Sequence, residues 1–267
     1  MLTPISYNNQ LHFGANLNSP KLKLSQKDFF IKIKGYGQNP KWAKQIKITT
    51  DYAVNTIHRD LSAEQILNYI TRNVMSANQI PLDYGKRLNS GILRTTREDW
   101  EYCNRDIDII TCYKIKRYNS YADRLDIVKD KPLAPINKNL GMSYPDEMGY
   151  IQHGPATKIN NSLDYIFKLY KNKYSKFLHK DVKKEDLPEI IDIVAEIRWV
   201  LAHATPWLRG SDAISNVFMR AMLKAVGVKA YPPAKGISYD LEAYCRNLDD
   251  YKANFNSFFE KPLEVIE

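Results

Sequence analysis

Apolar residues between positions 160 and 260 recur with the period of an α-helix and predict three consecutive helices. Ser162 is placed to cap the first helix and Asp186 the second. The second helix, expected at about 187–202, is apolar almost all round, which is typical of a helix buried at the centre of a domain. We therefore expect residues 160–260 to form a compact helical unit around it.

The third helix of this unit is expected to begin at Ser211, which is placed as its cap, and to end at Gly227, which fits a C-terminal cap. Two short helices are expected after the Pro-Pro pair that follows, one at Tyr239–Cys245 and one at 251–259.

The earlier part of the chain predicts two further helices. Apolar residues at mixed helical spacing follow Pro40, and Ser62 with Gln65 forms a capping box that opens a second amphipathic stretch. The next stretch is ambiguous, because Thr96 fits the cap of a helix whereas Ile, Thr and Tyr at 107–115 favour a strand.

Two regions show no helical period. Residues 1–25 are rich in Asn, Ser and Pro, and we expect a flexible N-terminal arm followed by a single helical domain at 26–267. Proline and glycine punctuate 130–160, which indicates an ordered loop with short strands. We expect the part of this loop at 141–154 to lie beside His203 as a flap.

Composition narrows the class of protein. No run reaches the ~18 apolar residues of a membrane-spanning helix, and the start lacks the pattern of a secretory signal. The three cysteines Cys103, Cys112 and Cys245 are not spaced as metal ligands, so we expect reduced thiols and a cytoplasmic protein. The net charge of +9 fits either a polyanionic partner or a solvated lysine-rich surface.

The segment from His203 to Asp212 lies between the predicted central helix and the next helix, so its groups can converge on one point. A helix N-terminus offers unpaired N–H groups and a partial positive charge. Gly210 lets a ligand approach the backbone and Arg209 adds a cationic fork, a combination that suits a phosphate. Arg220 lies about half a turn around the helix from this point and reaches the same ligand only if its side chain folds back.

This order of parts resembles the Fic family, whose fold is shared more loosely by Doc toxins and the AvrB effector. In that family a buried helix leads into a loop reading His-Pro-Phe-x-Asp/Glu-Gly-Asn-Gly-Arg-x-x-Arg, and the next helix holds nucleotide phosphates at its N-terminus. Here the sequence His-Ala-Thr-Pro-Trp-Leu-Arg-Gly-Ser stands at 203–211. The resemblance implies a mainly α fold, with a Fic-like helical core, a short β-hairpin flap and an irregular N-terminal arm.

The chain departs from the family motif at several positions. Ala204 and Thr205 are inserted after the histidine, and Arg209 stands where the family has its metal-binding acid. The resemblance nevertheless implies site roles: His203 as general base, Arg209, Gly210, Ser211 and Arg220 as donor-binding residues, Asp212 as a possible metal ligand, and Pro206 with Trp207 as the supporting loop.

Two functions from different classes follow. In the first, the chain is a bacterial effector or toxin that is cytoplasmic or delivered into a host or target cell. There it modifies a hydroxyl of a protein substrate by nucleotidyl transfer (AMPylation) or glycosyl transfer. The donor would be ATP, another nucleotide or a nucleotide sugar, with Mg²⁺, and His203 would take the proton of the attacking hydroxyl.

In the second, the chain is a catalytically inactive Fic-like binding module for an acidic partner, a phosphoryl ligand or nucleic acid. Nucleic acid is disfavoured, because no zinc finger or clear helix-turn-helix is present. A metal hydrolase is weaker still, since the histidines show no paired ligand spacing.

Overall fold

The computed structural model describes residues 22–33, 39–78, 93, 119–129, 133–145, 151–207 and 210–266. This part of the chain is mainly helical, as the sequence predicts, and its only strands are two small antiparallel hairpins. The elements in chain order are α1 (Pro40–Ile57), α2 (Ala63–Asn78), α3 (Asn119–Lys129), β1 (Tyr144–Pro145), β2 (Ile151–Gln152), α4 (Ile159–Leu169), α5 (Leu187–Ala204), α6 (Ser211–Ala225), β3 (Val228–Lys229), α7 (Tyr239–Cys245), α8 (Leu248–Asn254) and β4 (Glu264–Val265).

Helix α5 is the central helix of the fold, as its apolar pattern predicts. Every residue from Ile193 to Ala204 is buried, and the helix packs against α4, α6, α7 and α8. Asp186 is its N-cap and a proline occupies its first turn, where the missing N–H costs nothing. The carboxylate of Asp186 accepts a hydrogen bond from the amide of Lys183 instead of from the helix itself.

Helices α1 and α2 form at the two predicted positions. Asn39 caps α1 by accepting from the amides of Lys41 and Trp42. The capping box before α2 is present, with the Ser62 amide donating to Gln65 and the Gln65 amide donating to the Ser62 hydroxyl. The small and apolar face of α1 packs across α6, so the two N-terminal helices cover the motif-bearing core.

Helix α4 differs from its prediction. It begins at Ile159, after a 3₁₀ turn at Ala156–Lys158, so Ser162 is a buried residue of the first turn and not the cap. The helix passes into a π-helical turn at Tyr170–Tyr174 and a 3₁₀ turn at Ser175–Phe177. The stretch is therefore helical, as its apolar period predicts, but it consists of an α-helix, a π-helical turn and a 3₁₀ turn in succession.

Short strands form in the proline- and glycine-rich loop as expected, with β1 paired to β2. The ambiguous stretch at 107–115 lies outside the described residues, as does the arm from residue 1 to 21. The last part of the predicted arm packs on the fold, because Leu22 is buried and Phe29 follows it into the core. One hydrophobic cluster extends from Phe29 to Val265.

Candidate functional site

His203 lies inside the last turn of α5 and not in the loop after it. The inserted pair explains this position: Ala204 is the last residue of the helix, and Thr205 is its C-cap in the left-handed conformation, with φ of 39°. The Thr205 amide donates to the carbonyl of Leu201, and its hydroxyl donates to the carbonyl of Ala202. The two extra residues therefore extend the helix and keep the histidine within it.

The imidazole of His203 is 1% exposed and both of its nitrogens have main-chain partners. Nε2 lies 3.1 Å from the carbonyl oxygen of Ala243, to which it can only donate. Nδ1 then accepts from the amide of Ser143 at 3.3 Å, and it also lies 3.1 Å from the carbonyl oxygen of that residue. The rings of Trp199 and Tyr244 pack beside it, with centroids 4.2 Å and 5.7 Å away.

Burial lowers the pKa of His203 to about 4, although its main-chain hydrogen bonds act in the opposite direction. The ring is neutral at pH 7, and in this geometry neither nitrogen is open to a substrate. The general-base role of His203 stays a prediction, and it would require Nδ1, the nitrogen without a proton, to leave Ser143.

The loop predicted as a flap does lie against His203. The hydroxyl of Ser143 donates to the carbonyl of His203 at 2.7 Å, and the amide of Gly154 donates to that hydroxyl at 3.2 Å. A Cβ at Gly154 would come within 2.9 Å of the Gly141 carbonyl carbon and 3.0 Å of the His203 oxygen. The flap is thus fitted to the end of α5 by backbone contacts, and it holds the histidine in place.

The start of α6 uses the predicted anion-binding residues partly for its own turn. Gly210 is the N-cap with φ of 85°, a conformation that glycine adopts without strain, so Ser211 is the first helical residue and not the cap. The Ser211 hydroxyl accepts from the Trp207 amide and donates to the Trp207 carbonyl. Pro206 and Trp207 are buried, and their role as a supporting loop stays a prediction. Arg209 lies outside the described residues.

Asp212 in the first turn of α6 forms an ion pair with Arg198 of α5. The Arg198 side chain is fully buried, whereas that of Asp212 is 36% exposed. Burial lowers the pKa of Arg198, but Asp212, Asp240 and the neighbouring tyrosines together raise it by more, so the net shift is upward and the arginine stays charged. Within the described residues no group of three possible metal ligands occurs, so metal binding by Asp212 stays a prediction.

Arg220, two turns further along α6, is 1% exposed. One of its terminal nitrogens donates to the carbonyl of Tyr231 at 3.2 Å and to the hydroxyl of Tyr239 at 3.3 Å. The rings of Phe29 and Phe259 lie 5.5 Å and 5.9 Å from its guanidinium carbon. Its side chain therefore joins a cluster around Tyr239 rather than the backbone at Ser211.

This cluster also contains Arg198, whose guanidinium carbon lies 5.8 Å from the centre of the Tyr239 ring. Burial raises the pKa of Tyr239 to about 12, although the charges of Arg220 and Arg198 lower it. Among the described residues, Nε and one terminal nitrogen of each arginine have no hydrogen-bond partner, and neither does the amide oxygen of Asn216. We define Arg198, Asp212, Asn216, Arg220 and Tyr239 as the arginine cluster.

Sequence reasoning missed Arg198, although a signal for it was present. It is the only arginine or lysine of the helix, and its helical neighbours Val194, Ala195, Leu201 and Ala202 are all apolar, which favours burial of its charge. Residues 212, 216 and 220 are spaced by four, which places them on one face of α6. Together these two features point to a polar face buried between α5 and α6.

Comparison with known proteins decides the family. A model of the avirulence proteins AvrB and AvrC matches residues 110–262, which is more than half of the chain. The chain belongs to the AvrB/AvrC family. The predicted membership of the Fic- and AvrB-like superfamily is therefore confirmed through its AvrB branch, and the predicted mainly helical fold is present in the described residues.

The solved structures matched by this AvrB/AvrC protein include the BepC protein of Bartonella tribocorum, a VirB-translocated effector crystallised with AMPPNP. That match covers 92% of this chain and 97% of BepC at 13% identity, with a TM-score of 0.41. None of the curated proteins matches the chain. Among the described helices, none is long and apolar enough to cross a membrane.

Proposed function

We propose that this AvrB/AvrC protein is a bacterial effector in which the arginine cluster binds a phosphoryl-bearing ligand. The observation that supports this most is the incomplete hydrogen bonding of Arg198 and Arg220. Each is buried, yet each keeps Nε and one terminal nitrogen without a partner in the described part of the chain. Buried polar groups are nearly always paired in proteins, so four unpaired donor atoms in one cluster indicate a missing acceptor.

The charge of the arginine cluster supports an anion as that acceptor. Two guanidinium groups are buried there, and among the described residues only Arg198 has an ion pair, with Asp212, while the charge of Asp240 also acts on it. Arg220 has no ion pair among the described residues. An uncompensated buried charge costs several kcal/mol, and a phosphoryl group supplies both the charge and several acceptor oxygens.

The half-open side of the cluster indicates where such a ligand enters. Asp212 is partly exposed, and it lies in the first turn of α6, whose amides carry a partial positive charge. The Asn216 amide oxygen lies one turn deeper and would accept from a hydroxyl or an amine of the ligand. ATP, another nucleotide or a nucleotide sugar combines these groups, and the resemblance to the Fic family implies the same class.

The second and finer form of the proposal is transfer of a group from the bound donor to a protein hydroxyl. In this form His203 is the general base and Asp212 binds Mg²⁺. The residues that bind the donor are Arg209, Gly210 and Ser211. The contact of the flap with His203 supports a link between flap movement and activity, since the ring is freed only if Ser143 moves. The binding function needs no such movement and is therefore the one that the present geometry supports best.

Calorimetric titration of the whole chain with ATP, UDP-glucose and inorganic phosphate, each with and without Mg²⁺, tests the binding function. We expect at least one nucleotide to bind. Arg198→Gln and Arg220→Gln should weaken it roughly tenfold or more, because each loses a charge-assisted contact of about 1.5–3 kcal/mol. Lys229→Gln, which removes an exposed charge, serves as the control. Failure of every ligand to bind, or equal affinity in all variants, would contradict the proposal.

Transfer is tested separately with labelled donors and host-cell lysate. A catalytic His203 predicts that His203→Ala loses ~100- to 10,000-fold in rate with unchanged folding. If His203 is structural, His203→Ala should melt at a lower temperature than the wild type, and neither the wild type nor the variant should transfer the label.

A further inference from the structure

We propose that the groove between α2 and α4 is a docking site for a basic segment of a partner protein, with apolar side chains in the groove and Lys or Arg on both sides. The groove has a volume of about 320 Å³, which holds a few side chains rather than a whole helix. This inference does not depend on ligand binding at the arginine cluster.

Apolar residues form the walls of the groove. Leu67 comes from α2, Leu163 and Phe167 from α4, and Trp207 from the loop before α6. Leu93 pairs with Trp207 through a single antiparallel bridge and is 44% exposed, so one end of the groove presents apolar surface to solvent. Exposed apolar surface of this kind, with a polar rim, is typical of interaction sites.

The rim of the groove is acidic on both sides. Glu64 of α2 and Asp164 of α4 are exposed, and neither forms an ion pair within the described residues. Asn68 and Asn160, one on each helix, complete the rim without adding charge. An acidic groove in a chain of net charge +9 repels nucleic acid and anionic lipid and attracts a cationic segment.

The groove also lies next to the start of α6. Trp207 lines it, and the main chain of this residue holds the hydroxyl of Ser211 through two hydrogen bonds. A segment docked there would sit close to the first turn of α6, where Asp212 marks the open side of the arginine cluster. This position suits recognition of the protein substrate that the sequence predicts.

Labelled pentapeptides with the sequence Lys-Leu-Phe-Leu-Lys or Glu-Leu-Phe-Leu-Glu test the proposal by fluorescence anisotropy with the full chain and no nucleotide. We expect the lysine peptide to bind roughly tenfold more tightly than the glutamate peptide, and replacement of its apolar residues by alanine to abolish binding. Its affinity should fall as salt is raised.

Charge reversal provides the matched variants. The double variant Glu64→Lys/Asp164→Lys should prefer the glutamate peptide, and Glu64→Gln/Asp164→Asn should lose the preference without reversing it. Glu185→Lys/Asp123→Lys changes the net charge equally at two exposed positions away from the groove, and it should keep the original preference. Equal binding of both peptides, no binding, equal effects of the control variant, or self-association through the groove would each overturn the proposal. Because the readout needs no nucleotide, such a failure is distinct from failure of the proposed ligand site.

Discussion

The carboxylate of Glu242 and the guanidinium of Arg220 are both buried in the helical core, yet within the described ranges only the first has a complete set of partners. Glu242 accepts from Tyr121 at 2.6 Å, from both terminal nitrogens of Arg124 at 2.8 Å, and from Arg246 at 2.8 Å. Arg220 makes two longer hydrogen bonds with one nitrogen, and its other two nitrogens have no partner in the part of the chain that the structure describes.

Charge compensation differs in the same way. Burial raises the pKa of Glu242, but hydrogen bonds from the two arginines and the tyrosine outweigh it and lower the pKa overall. The carboxylate thus stays ionised with its charge neutralised. Nothing comparable is present beside Arg220 in the described chain. A buried charge with full partners holds structure together, whereas one without them indicates a partner that comes from outside.

The largest expected effect on stability is in the hydrogen-bond network around Glu242, where every partner is present. Arg124→Met should lower the free energy of unfolding by about 3 kcal/mol, because it removes one side of a buried ion pair and leaves the carboxylate of Glu242 buried with fewer partners. Urea denaturation measures this change. Lys176→Met, which removes an ion pair to Glu189 whose side chains are about half exposed, should cost less than ~1 kcal/mol. Similar losses for both variants would mean that burial of Glu242 does not make the network strong.

His203 should make stability depend on pH. Its pKa is about 4 in the folded chain and near 6.5 when unfolded, so between these values the unfolded chain binds more protons. Stability should therefore fall as pH drops from about 6.5 to about 4, by about 3 kcal/mol in total. In His203→Gln this part of the pH dependence should vanish. A wild-type curve parallel to that of the variant would show that the ring is not buried and neutral.

The flap that holds His203 should tolerate no added volume at its closest contact. Gly154→Ala should cost about 2 kcal/mol, because the new Cβ meets three backbone atoms within 3.0 Å. Gly141→Ala is the control, since its Cβ would make only ordinary contacts at 3.5 Å or more. Thermal melting of the two variants compares them, and an equal loss would contradict the fitted contact.

Local patterns were enough to predict much of the fold. The apolar surface of α5 identified the central helix, and Ser62 with Gln65 identified the start of α2, because a capping box is a local feature. The start of α4 was misplaced at Ser162, since the 3₁₀ turn that leads into the helix leaves no capping residue to recognise.

The site was harder to predict because its partners are distant in sequence. The surroundings of His203 depend on Ser143, sixty positions earlier, and on Ala243, forty positions later. The motif indicated the correct helix junction but not that α5 continues past the histidine. Arg198 was missed because the motif drew attention to the loop, whereas the buried charge lies on the helix before it.

The smallest expected change in stability tests the central claim, that the arginine cluster is built for a ligand. Arg220→Met should leave the free energy of unfolding of the ligand-free chain unchanged or raise it by about 1 kcal/mol, because an uncompensated buried charge is replaced by an apolar side chain of similar volume.

Melting temperatures of the wild type, Arg220→Met and Arg124→Met with and without ATP are the most direct measurement. We predict that ATP raises the melting temperature of the wild type and of Arg124→Met but not that of Arg220→Met. Without ATP, the melting temperature of Arg220→Met should equal or exceed that of the wild type, whereas that of Arg124→Met should be lower. A large loss of stability in ligand-free Arg220→Met, together with an unchanged response to ATP, would contradict the account.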